Sequence, residues 1–170
     1  MRRHWVIVSL TLLLLWVLVA QVNHYLAVWR VYLFVGGLYV TFAALLLPLR
    51  AGLAATLLGG LLCDANSPVP PGTHVLLFAA AHAVLFHVRD RVPRDETVTR
   101  VVLALLANFA LFLVVSFLLI GRSPAPGAVW PRIIFDLLCS QVFLALVAPW
   151  FFALQTRSLE LAGLRVRGLH

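Results

Sequence analysis

The chain has 170 residues, 63% of them hydrophobic and only 11% charged, a far larger apolar share than the roughly half-apolar make-up of soluble domains. A net charge of +7 does not point to nucleic acid, because the arginines are spread over short loops beside apolar segments, where membrane topology explains them. Six apolar runs leave almost nothing for a soluble domain, so residues 1–170 read as a single polytopic membrane domain.

The first run, Trp5 to Ala20, follows Arg2 and Arg3. It exceeds the usual core of a signal peptide, and the Leu-Val-Ala before Gln21 is a poor cleavage site, so it reads as an uncleaved first helix. The second run is Val31 to Leu47, the fifth Val101 to Ile120 and the sixth Ile133 to Leu154. At about 1.5 Å of rise per residue these three and the first can cross a hydrocarbon core of about 30 Å with little help. The third run, Ala51 to Cys63, reaches only about 20 Å as a helix. With the fourth, Thr73 to Val88, it either spans using its flanks or forms a re-entrant hairpin buried in protein, and spanning is favoured. The expected fold is all-α, an integral membrane protein of six transmembrane helices in which helices 3 and 4 are short.

The chain has no lysine, so orientation follows from arginine. With both termini cytoplasmic, ten arginines lie inside and only Arg30, Arg122 and Arg132 outside, as positive-inside loops require. Trp5, Trp29, Trp130 and Trp150 sit at segment ends, where interfacial anchors belong. Cys63 and Cys139 fall near the outer ends of the third and sixth segments, where a bond is permitted, but buried small residues are the simpler reading.

The joints carry more information. Pro48 ends the second helix and Arg50 marks a tight cytoplasmic turn. In the third segment Ala51, Ala55, Gly59 and Cys63 recur every four residues beside a stripe of Gly52, Thr56 and Gly60, a face that lets another helix backbone come close. Packing inside the bundle is favoured for it over an intermolecular interface. The segment stops on Asp64, and a carboxylate costs roughly 2.5 to 3.5 kcal/mol at the centre of a membrane helix, so the acid belongs at the boundary or against other helices. Followed by Asn66 and Ser67, it is expected to accept backbone hydrogen bonds and brace the turn toward Gly72, a task in which Asn should largely replace it. The loop Arg89 to Arg100 reads as a solvated turn bearing orientation charges. Gly121 to Pro131 reads as irregular but stiff, and Gln155 to His170 as a short helix lying on anionic lipid.

Polar groups inside the apolar runs are few: His74, His82 and His87, Asn108, Asp136 and Gln141. They form no catalytic set, and His74 and His82, eight apart, read as hydrogen-bonded packing histidines. Arg132 and Asp136, four apart, read as a boundary ion pair at the start of the sixth helix. There is no HExxH, G-x-S-x-G or Walker loop, and no catalytic, cofactor-binding or metal-ligating residue is assigned; the chain is not expected to be an enzyme.

The stretch LPLRAGLAATLLGGLLCD followed by PGTHVLLF, with the chain's size, its six segments and a first helix behind a basic start, resembles the rod shape-determining protein MreD family of bacterial inner-membrane proteins. In that family a Pro-x-Arg-like turn leads into a Gly-rich helix ending in an acid, and a Gly-containing loop opens the fourth helix. Pro48, Arg50, Gly59, Gly60, Asp64 and Gly72 occupy those positions. The resemblance implies a non-enzymatic subunit of the wall-elongation machinery that helps link the MreB filament to peptidoglycan synthesis. MreC would be its closest partner, and the RodA glycosyltransferase and a class B penicillin-binding transpeptidase further associates. The runner-up is the substrate-binding subunit of energy-coupling-factor vitamin transporters, also six-helix proteins. Its Ala-x-x-x-Ala docking pair is missing from the first helix, and Asp64, Asn66, Asp136 and Trp130 are a thin set for a vitamin site.

Overall fold

The structure, a computed structural model, describes residues 2–67, 69–92, 96–121 and 126–161, with backbone alone at 2–9, 126, 128 and 158–161. Among the described residues six α-helices follow one another: α1 (Arg2–Leu26), α2 (Gly36–Leu46), α3 (Leu49–Ala65), α4 (Thr73–Val88), α5 (Thr97–Ile120) and α6 (Pro126–Leu161). There is no strand among the described residues. Three stretches, Leu10–Trp29, Thr97–Ile120 and Val129–Arg157, are helical, long and apolar enough to cross a membrane.

The second apolar run departs most from expectation. Val31 to Leu47 is not one helix: after a single 3-10 turn at Ala27–Trp29 and a left-handed Arg30, the chain runs without helix or strand through Val35, and α2 covers only 11 residues. It is α2, more than α3 or α4, that is short. Nine of its eleven residues are buried, which explains why its sequence is apolar all round: it is the central helix and has no polar face to show. Leu38, Phe42 and Ala43 join a core with Leu12, Ala51, Leu144 and Phe152, while Val40 and Ala44 join a second core with Phe34, Phe78, Leu111 and Phe112. Around this axis α3 packs on α4 and α5 on α6, and α1 lies more loosely against α3 and α6.

The small-residue stripe of α3 is spent inside the chain. A Cβ on Gly60 would come within 2.6 Å of the Val75 backbone, one on Gly59 would overlap the Tyr39 ring, and one on Gly52 would overlap His82. These glycines let α3 close onto α4 and α2.

Several loops are more structured than expected. Pro126 to Pro131 forms the first turns of α6 instead of an irregular loop: Pro126 opens the helix, where a proline forfeits no hydrogen bond, and Pro131 lies inside it. Asp136 therefore lies in the third turn of α6 and not at its beginning. At the other end α6 runs on through Gln155, which is buried and accepts a hydrogen bond from Thr11 at 3.0 Å, so the tail up to Leu161 continues that helix. The remainder of the tail, including Arg165 and Arg167, lies outside the described residues, as do Arg94 and Arg122 and the side chain of Trp5. Arg89 and Arg100 are not solvated charges. Arg89 donates to the carbonyl of Leu47 at 3.3 Å, closing the end of α2, and stacks on Phe86; Arg100 is buried at the start of α5. Trp29 and Trp150 are largely exposed, and Cys63 and Cys139 are free and half-buried.

Candidate functional site at the Asp64 end of the bundle

Asp64 ends α3 opposite the first turn of α4, and both its oxygens are occupied. Oδ2 accepts from the Gly72 N–H at 2.8 Å and the Val75 N–H at 3.4 Å; Oδ1 accepts from the His74 N–H at 2.9 Å. His74 Nδ1 lies 2.8 Å from Oδ1, and a carboxylate can only accept, so the ring proton sits on Nδ1. The first N–H groups of any helix lack partners within it, and a carboxylate from a neighbouring helix supplies them here while meeting the positive end of the dipole. Gly72 has φ +91, a left-handed turn that brings its N–H toward Asp64 and that a side chain would strain. The acid braces the turn toward Gly72, as its position in the sequence suggests.

A second constellation surrounds the extended segment 31–35. Such a segment in an apolar bundle must have its backbone groups satisfied by other parts of the protein. Asn23 of α1 holds Leu33 on both sides, its amide donating to the carbonyl and its oxygen accepting the N–H, each at 2.8 Å. On the other edge Asp136 Oδ1 accepts the Tyr32 N–H at 3.1 Å and Ser140 Oγ the Phe34 N–H at 3.0 Å. The register follows from geometry. Two extended residues advance about 6.6 Å and four helical residues about 6 Å, so alternate N–H groups meet side chains four apart on α6. Asn108 of α5 then accepts the Gly37 N–H at 3.1 Å where α2 begins, and a Cβ on Gly37 would overlap the Asn108 backbone.

Of the residues singled out in the sequence, Gly60, Asp64 and Gly72 meet in the α3–α4 hairpin and Gly59 faces Tyr39 of α2, whereas Pro48 and Arg50 stand exposed at the hairpin's opposite end. Arg132 and Asp136 approach to 3.8 Å, but the acid's main task is Tyr32. His82 is fully buried against Phe86 with neither ring nitrogen hydrogen-bonded, contrary to the expected bonded histidine. Asn23 and Ser140 were not singled out. Asn23 falls past the first apolar run, and Ser140 is legible only as the third member of the four-residue series Arg132, Asp136, Ser140.

The extended segment separates two cavities. One, of about 300 Å³, opens toward α1 and α3 between Trp16, Tyr39, Cys63 and Gly59. The other, of about 360 Å³, lies between α5, α6 and the α3–α4 turn, with Tyr32, Phe34, His74, Phe112, Arg132 and Asp136 among its walls. Asn66 borders both, but Asp64 and Trp130 line neither. Among the described residues no group of three or more His, Cys, Asp or Glu converges to hold a metal ion. No family model, no curated protein and no solved structure matches the chain.

Proposed function

We propose that the chain is a non-enzymatic subunit of the bacterial wall-elongation complex, a multi-pass inner-membrane protein that maintains rod shape by linking MreB and MreC to peptidoglycan synthesis. The observation that carries this reading is that Gly60, Asp64 and Gly72, half of the six positions on which the resemblance to the MreD family rests, act as one unit in a closed α3–α4 hairpin, with Gly59 beside them admitting Tyr39 of α2. Pro48 and Arg50 begin the same hairpin at its other end.

In this reading the bundle crosses the membrane six times with both termini cytoplasmic. The lengths support it: α3 and α4, with 17 and 16 residues, reach about 25 Å, and the 11 residues of α2 reach about 16 Å, to which the non-helical lead 31–35 adds. Each pair of flanks closes the gap to about 30 Å. A bundle of this kind acts through helix faces and short loops, and RodA and a class B penicillin-binding transpeptidase are its wider associates.

The 360 Å³ cavity favours a second reading, a vitamin-binding subunit of an energy-coupling-factor transporter, since it gathers aromatic and charged groups that look scattered in the sequence. Co-purification from native membranes separates the two. An MreC-like partner is expected, whereas recovery of ATPase subunits without it overturns the adaptor reading.

A further inference from the structure

The cavity beside Asp136 holds an acid with an unfinished hydrogen-bond shell. Asp136 is 8% exposed; its Oδ1 accepts the Tyr32 N–H, but Oδ2 has only the Arg132 Nε at 3.8 Å, beyond hydrogen-bond distance. Asp136 lines the cavity, so Oδ2 offers there an acceptor that no hydrogen-bond donor of the chain fills. Arg132, with its side chain 60% exposed, keeps guanidinium donors to spare at the rim of the same cavity. Tyr32, Phe34 and Phe112 form aromatic walls, faces to which a cation is attracted.

A lone cation would meet Asp136 but face Arg132, and a lone anion would meet Arg132 but face a buried acid. A ligand with both charges leaves none uncompensated on desolvation. We propose that this cavity binds a zwitterion whose protonated amine donates to Asp136 Oδ2 and whose phosphate or carboxylate is held by Arg132, two side chains whose charged groups approach to 3.8 Å. The apolar remainder lies along Val115 and Ile133 of α5 and α6. An ethanolamine phosphate group has this chemistry, either free or as a phospholipid headgroup. The inference holds whichever of the two functional readings is right.

The test uses the full chain in nanodiscs of phosphatidylglycerol, with thermal unfolding as the readout. Phosphoethanolamine is added in solution, or phosphatidylethanolamine replaces part of the lipid. Saturable stabilisation is expected, with half-saturation weakened about tenfold or more in Arg132→Gln and in Asp136→Asn, the loss of one charge-assisted bond. Asp136→Asn keeps an acceptor for Tyr32; if it fails to fold, the exposed Arg132→Gln decides alone. Response to the lipid only assigns a bound headgroup, since a bulk effect of the bilayer would survive Arg132→Gln; response to both probes assigns recognition to the headgroup itself. No response to either probe, an equal response to ethanolamine or glycerol phosphate alone, or wild-type behaviour in the Arg132 variant overturns the proposal.

Discussion

Asp64 is the residue whose position the sequence announces and whose chemistry the structure sharpens. Its place at the end of a glycine-rich helix is legible because a carboxylate is too costly in mid-membrane, but how its two oxygens are shared is not legible from spacing. With each oxygen accepting from at least one N–H, Asn is a poorer substitute than the sequence suggests: it keeps one acceptor and turns an amide N–H₂ toward backbone donors. Asp64→Ala is expected to cost about 3 kcal/mol or more of stability in detergent, and Asp64→Asn more than half of that loss. Denaturant unfolding of the two variants beside the wild type checks the order; an Asn variant as stable as wild type contradicts it. His82 taught the opposite lesson. Its burial follows from the apolar run of α4, yet its ring packs where Gly52 of α3 leaves room and finds no partner there, which no local pattern reveals.

At the scale of elements, five of the six helices follow from apolar runs and their breakers, with ends that drift by several residues. The second run misleads because an extended segment and a helix that are both buried share one signature, unbroken hydrophobicity. What breaks the helix is tertiary: Asn23, Asp136, Ser140 and Asn108, on three other helices, satisfy the backbone at 32–37 that a helix would have satisfied itself. Asn108→Leu leaves the Gly37 N–H buried without an acceptor, a loss of about 1 to 3 kcal/mol, whereas Asn108→Asp retains the oxygen. Hydrogen exchange at 33–38 should accelerate in the Leu variant and stay much slower in the Asp variant. Unchanged exchange in Asn108→Leu would mean that the segment is held by packing alone.

For the whole molecule, membrane character is read directly from composition and from three long apolar helices, and the two cavities beside the extended segment could not be read at all, because they arise from how that segment stands off its neighbours. The adaptor role rests on one spatial claim: the bundle crosses six times with the Asp64 end outside and the Arg89 end in the cytoplasm. Ser67 is half-buried beside the cavity, so the exposed Pro71 and Arg91 are the better reporters of the two ends. With Cys63 and Cys139 replaced, Pro71→Cys in intact cells should react with a membrane-impermeant thiol reagent from outside, and Arg91→Cys only after permeabilisation. Protection of Pro71→Cys from both sides, or its labelling only from within, would contradict the six-crossing arrangement.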